Sequence, residues 1–272
     1  MALDIKRRLG AALLDLTISR RGYRVERDLS YGGHPRQKLD LYVPEELNTS
    51  APVLLFFYGG SWQSGDKNIY RAFGEAFASK GIVTAVADYR LYPDVRYPGF
   101  VEDCAEALRF LRETVSAHGG NPERLFLAGH SAGAYNAMML VCDPRYLEGG
   151  LSAVRGVIGI SGPYDFLPLK DPVLIEIFGG DRREETQPIR HVAAQYPPML
   201  LVTGARDKTV SPRNTKRMAE KLRSFGTDVT EIFYPDIGHI EIMLSLAPIF
   251  RGRTSLREDI ARFVLGEETK EE

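Results

Sequence analysis

Ser131 is the residue on which a reaction can be built. It stands in Gly129-His130-Ser131-Ala132-Gly133, directly after the apolar run Leu125-Phe126-Leu127-Ala128 and before a helix-like stretch over 134–141. A buried strand, a turn of small residues and a helix form the setting in which G-x-S-x-G presents a nucleophile at the tip of a strained turn. Side chains two residues to either side would collide there, which accounts for the two glycines. The helix that follows adds its positive end, which favours an anion formed nearby, such as the oxyanion of acyl transfer. The alternative is an ordinary glycine-rich strand-to-helix loop, and the rest of the chain must distinguish the two.

A serine hydroxyl is a poor nucleophile at neutral pH, so it needs a base in hydrogen-bond reach and a third group to orient that base. Of the five histidines, His239 lies in Asp236-Ile237-Gly238-His239, directly after the last strand-like run, where a loop side chain can reach the carboxyl edge of a sheet. His34 lies in an early hairpin, His118 ends a helix, and His191 sits in a proline-rich insertion. His130 adjoins the serine, but the turn aims its ring differently, and it is read as a pocket residue. The run Leu200–Asp207 is a buried strand ending in a turn that presents a carboxylate, so Asp207 is the expected orienting acid. Asp236 competes for that role, although three residues from His239 it reads more simply as a turn former. Backbone donors for the oxyanion come from Tyr58-Gly59-Gly60-Ser61-Trp62, where glycine lets the chain approach a substrate closely. The expected donors are the N–H groups of Gly60, Ser61 and Ala132; the bland reading of that segment is a simple turn.

These residues need a scaffold, and the chain supplies one. Strand-like runs at 23–31 and 38–43, linked by Gly32-Gly33-His34-Pro35, predict an antiparallel hairpin at one edge. Nearly continuous apolar runs at 52–58, 82–88, 125–128, 157–160 and 198–202 predict strands buried on both faces, with a last strand at 229–234. Helix-like segments at 70–80, 100–118, 134–141, 212–225 and 256–265 alternate with them. This is an α/β pattern: a mostly parallel eight-stranded sheet with helices on both faces. The segment 164–198 breaks the alternation with several prolines and Gly179-Gly180, and is expected to form a small cap over the site. A surface excursion without substrate contact is the alternative. Trp62, Tyr92, Tyr97, Tyr164 and Phe166 would line an aromatic entrance, with Trp62, His130, Tyr164 and Phe166 as the pocket.

Composition excludes other classes. The 272 residues contain no Ser/Gly- or Pro-rich linker and predict one domain over 1–272. A net charge of -1 gives no reason to expect nucleic acid or an anionic membrane as partner. The two cysteines, Cys104 and Cys142, are far apart and imply neither a disulfide framework nor a metal site. Residues 3–18 read as an amphipathic helix rather than a signal peptide, because Asp15 interrupts the apolar run and no cleavage site follows before Arg20-Arg21. Such a helix packs on its own protein or lies on a membrane surface. The expected location is cytoplasmic, and Glu267–Glu272 reads as a charged tail. Dinucleotide, P-loop and H-E-x-x-H motifs are absent, so no cofactor or metal is expected.

Taken together, Tyr58-Gly59-Gly60-Ser61-Trp62, Asp88-Tyr89-Arg90-Leu91, Gly129-His130-Ser131-Ala132-Gly133, Gly204-Ala205-Arg206-Asp207 and Gly238-His239 resemble the α/β-hydrolase superfamily. More narrowly, they resemble bacterial carboxylesterases of the hormone-sensitive-lipase-like and arylformamidase-like branches, from about Leu39 to the last helix. The resemblance implies the order serine, acid, histidine and a cofactor-free serine hydrolase acting on esters of short to medium acyl chains. N-formyl aryl amide hydrolysis is the alternative activity, and a non-catalytic binding protein on the same fold is a further one. Association into a homodimer is implied by the resemblance alone. The family loop often begins with histidine where this chain has Tyr58, which leaves open how the loop is tethered.

Overall fold

The computed structural model describes residues 17–47, 51–147 and 153–266. The expected N-terminal helix, save its last two residues, and the charged tail lie outside the described residues.

Eight strands form one sheet: β1 (Tyr23–Ser30), β2 (Lys38–Pro44), β3 (Ala51–Phe57), β4 (Val83–Ala87), β5 (Gly120–His130), β6 (Val154–Ile160), β7 (Met199–Gly204) and β8 (Val229–Tyr234). They lie in the order β1-β2-β4-β3-β5-β6-β7-β8. β2 runs antiparallel to both neighbours and every other pair is parallel, as the edge hairpin and apolar runs predict. β3 and β4 are buried at every residue, which is the condition of a central strand covered on both sides. β1, at the edge, exposes much of its length.

The helices are α1 (Arg71–Ala78), α2 (Gly99–Thr114), α3 (Ala132–Cys142), α4 (Pro172–Phe178), α5 (Pro188–His191), α6 (Arg213–Arg223), α7 (Glu241–Leu244) and α8 (Leu256–Leu265). α1 packs with α8, and α2 with α3, so both faces of the sheet are covered. α6 shows how a surface helix is specified: Thr215, Met218, Ala219 and Leu222, at spacings of three and four, form its buried stripe. α3 is different, because every residue of it is buried. A helix apolar all round belongs in a core, and here it carries the segment after Ser131.

Within 164–198, α4 begins at Asp171, whose carboxylate accepts from the N–H groups of Val173 and Leu174, and ends at left-handed Gly179. The segment is fastened to the loop after β4. Tyr97 N–H donates to Ile177 O at 3.0 Å, Tyr92 Oη donates to Glu176 at 2.8 Å, and Arg96 pairs with Glu176.

Candidate active site

Ser131 sits between β5 and α3 with φ 53° and ψ -121°, a left-handed conformation that costs a non-glycine residue on the order of 1–3 kcal/mol. Its N–H donates to Ile160 O at 2.9 Å and its C=O accepts Tyr135 N–H at 3.1 Å, so the strain is held by the neighbouring strand and the first helical turn. The flanking glycines are needed for space. A Cβ on Gly129 would overlap the Gly133 carbonyl, and one on Gly133 would overlap the Phe57 carbonyl of β3.

The β7 and β8 turns bring the acid and the base together. Asp207 Oδ2 accepts from His239 Nδ1 at 2.6 Å, while Oδ1 accepts the N–H groups of Thr209 and Val210 at 2.9 Å each. Burial pushes the Asp207 carboxyl up, but the His239 bond and those two amides outweigh it and hold it below the usual range. The carboxylate is therefore ionised and fixes the proton of His239 on Nδ1, leaving Nε2 as the basic nitrogen. Asp236, the competing acid, is exposed and paired with Arg206, which removes it from the site. Ala205 N–H donates to Tyr234 O and Arg206 N–H to Ile237 O, both at 2.9 Å, so the two turns are laced together through their backbones.

His130, expected in the pocket, is buried instead against His239, with ring centroids 4.7 Å apart. Its Nε2–H donates to His239 O at 3.1 Å. Burial, and the neighbouring His239 as the second cause, hold its pKa at about 3, so it is neutral and only a weak base at ordinary pH. The remaining three histidines are engaged elsewhere: His34 Nδ1 accepts the Arg36 N–H, His118 meets Glu26, and His191 meets the Glu185 carbonyl.

The Gly59–Trp62 loop lies against Ser131, since a Cβ on Gly59 would come within 2.8 Å of Ser131 Cβ. Gly60 has φ 144°, and its carbonyl accepts the N–H groups of Gln63 and Ser64. Because C=O and N–H of one trans peptide point in opposite directions, the Ser61 N–H is directed away from that turn. Ala132, first residue of α3, has an N–H without an intrahelical partner.

Tyr58 in place of histidine is well tethered. Its hydroxyl bonds to Asp88 and receives Arg36 Nη2 at 2.6 Å, and its carbonyl accepts Tyr89 Oη at 2.8 Å. Arg36 also reaches the carbonyls of Tyr89 and Gly65. Burial holds the Asp88 carboxyl above its usual range despite Tyr58 and Arg36. The aromatic entrance needs correcting. Trp62 and Tyr164 are 3% and 0% exposed, so neither ring lines an open mouth. Trp62 packs with Phe100, Tyr135, Phe166 and Phe178, and Tyr164 lies against Gly159 and Gly162. Burial removes more apolar surface from water than an entrance position would, and that preference prevails for these large rings. Phe166 is half-buried at the edge of the cluster.

Sequence reasoning missed Asn136, fully buried on α3, whose Oδ1 accepts the Trp62 indole N–H at 3.0 Å. The sequence pattern also leaves the task of Asp88, tethering Tyr58 and the Lys67 N–H, unassigned. A lone polar residue in an otherwise apolar helix was the available signal.

Among known proteins, isoprenylcysteine alpha-carbonyl methylesterase ICME of Arabidopsis thaliana is 28% identical over 269 residues, covering 90% of this chain and 63% of that protein. Esterase LipC of Mycobacterium tuberculosis is 31% identical over 244 residues, 80% of this chain and 60% of that one. The chain thus spans between 56% and 63% of the length of the first curated relatives it matches. The solved structure of inhibited esterase B from Lactobacillus rhamnosis superposes with TM-score 0.82 at 20% identity, covering 97% of this chain and 94% of that one, which shows the α/β-hydrolase fold. No helix among the described residues is long and apolar enough to cross a membrane. The BD-FAE family model matches residues 39–222, from β2 through nearly all of α6, and the chain belongs to that family.

Proposed function

We propose that the chain is a carboxylesterase in which Ser131, His239 and Asp207 act as a catalytic triad. The observation that carries this reading is the Asp207–His239 bond of 2.6 Å, with His239 packed on His130, the residue before a serine held in a strained turn. Ser131 Oγ attacks the ester carbonyl as His239 Nε2 takes its proton, and Asp207 stabilises the imidazolium. The N–H groups of Gly60, Ser61 and Ala132 receive the oxyanion, where removing one such donor typically costs about a hundredfold or more. The alcohol leaves with the proton from His239, and a water deprotonated by His239 releases the acid from Ser131.

The segment 164–198 serves as a small cap on a single domain. Phe166, half-buried beside the Trp62 ring, is its pocket residue and limits the acyl group to short or medium length. Small-molecule esters are the substrates in this reading; the names of the relatives above, a methylesterase and an esterase, support it. Free buried Cys104 and Cys142 are compatible with a cytoplasmic location, and homodimer formation stands on the family resemblance.

The test is a panel of p-nitrophenyl esters from acetate to palmitate, with an N-formyl aryl amide and Ser131→Ala alongside. Hydrolysis that peaks at short chains and disappears in the variant is expected. A wild-type protein that cleaves the formamide and ignores the esters would move the assignment to the arylformamidase reading.

A further inference from the structure

We infer that Asn136 is a positioning residue that sets the oxyanion loop against the nucleophile, acting through the indole of Trp62. This rests on the esterase reading above. Asn136 lies on α3, five residues beyond Ser131, and is 0% exposed in a helix otherwise built of apolar and small residues. Asparagine is a poor choice for such a position, and a buried amide is costly unless it is bonded. Here Oδ1 accepts Trp62 Nε1–H at 3.0 Å, and Nδ2 lies 3.5 Å from Cys104 Sγ on α2, which turns the amide oxygen toward the indole.

Trp62 follows the proposed donors Gly60 and Ser61 directly. Ser61 and Trp62 both have left-handed backbones, at φ 54° and 59°, so the loop carries strain that its surroundings must hold. Tyr58 anchors the beginning of the loop to Asp88 and Arg36. At its end, the Trp62 carbonyl accepts Tyr92 N–H at 2.8 Å, and the Trp62 side chain binds α3. The indole also meets Tyr135 edge-on at 5.1 Å, on the same helix. One hydrogen bond therefore joins the donor loop to the helix that begins at the nucleophile, and the separation between them is fixed through it. Orientation of this kind is where a displacement of about 1 Å costs up to about a hundredfold in rate.

The experiment compares wild type, Trp62→Phe, Asn136→Ala and the double variant, with each preparation counted by titration with a fluorophosphonate. Trp62→Phe keeps an aromatic ring and removes the N–H. Per titrated site, each single variant is expected to lower kcat about 10- to 100-fold with KM changed less than about twofold. The double variant should be no worse than the poorer single one, because both remove the same bond. Affinity for a trifluoromethyl ketone, which forms a tetrahedral oxyanion on the serine, should fall by the same factor as kcat/KM. Unchanged kcat per site in both single variants, or a loss of kcat with undiminished ketone affinity, would overturn the inference. A wild type that neither titrates nor hydrolyses esters would overturn the esterase reading and this inference with it.

Discussion

His130 holds His239 by its main chain: the Nε2–H of one imidazole donates to the carbonyl of the other residue at 3.1 Å, with the rings 4.7 Å apart. The Nε2–H donor is present whether or not the ring is protonated, and it is burial that keeps His130 neutral. Burial first and the His239 ring second hold its pKa at about 3, while the bond to the His239 carbonyl and then Asp207 pull the other way with smaller effects. In the unfolded chain the ordinary value near 6.5 applies.

The sign of the linkage follows. Below pH 6.5 the unfolded chain takes up a proton that the folded protein refuses until about pH 3, so stability falls as pH falls through that window. Between pH 7 and pH 5 the loss from this residue is about 2 kcal/mol. Urea denaturation at the two pH values should show that loss in wild type and its absence in His130→Gln. Equal losses in both proteins would mean that the folded protein accepts the proton.

The two candidate acids can be separated by rate. Asp207→Asn removes the carboxylate that holds the Nδ1 proton of His239, and kcat for an ester should fall about ten-thousandfold, as it does for the equivalent change in a serine triad. Asp236→Asn breaks an exposed pair with Arg206 and should leave kcat within about twofold. Steady-state kinetics on both variants checks the assignment.

Gly133→Ala should unfold the protein or cost it about 3 kcal/mol or more, because the new methyl would overlap the Phe57 carbonyl inside the sheet. Gly33→Ala, which has nothing within 4 Å, should change stability by less than about 0.5 kcal/mol. Thermal melts of the two variants give the comparison.

Tyr58→Phe removes the hydroxyl that joins Asp88 to Arg36 and leaves those buried groups less well satisfied. A cost of about 1–3 kcal/mol in stability is expected, together with a lower kcat as the donor loop loosens. Circular-dichroism melts and ester kinetics on the same preparation test both effects; unchanged kcat would show that the loop does not depend on this tether.

The central strands were legible because a parallel strand buried on both faces must read as a continuous apolar run, as 52–58 does. For β5 the apolar run predicts only 125–128. Its first residues, including Asn121 and Glu123, carry no apolar signal, yet Gly120 pairs with Ala51 and extends the strand to eleven residues. Ser131, Asp207 and His239 are legible as candidates because each follows the carboxyl end of a strand, and strand ends are visible in the pattern. The surroundings were less visible. Whether Trp62 and Tyr164 face the mouth or the core depends on the direction of a loop, which periodicity does not encode. Asn136 and Arg36 act through partners far away in sequence, 74 and 22 positions off, and only the folded chain brings them together.

The backbone bonds between the β7 and β8 turns make them a single mechanical body. An insertion in either turn would shift acid and base in concert and preserve their bond while withdrawing both from Ser131. Length variation in this protein should accordingly be tolerated in the segment between α4 and α5, which contains exposed Arg182, Glu184 and Glu185, and resisted at 205–207 and 235–239. Anyone lengthening loops to alter specificity has room in the first region and a coupled pair of hinges in the second.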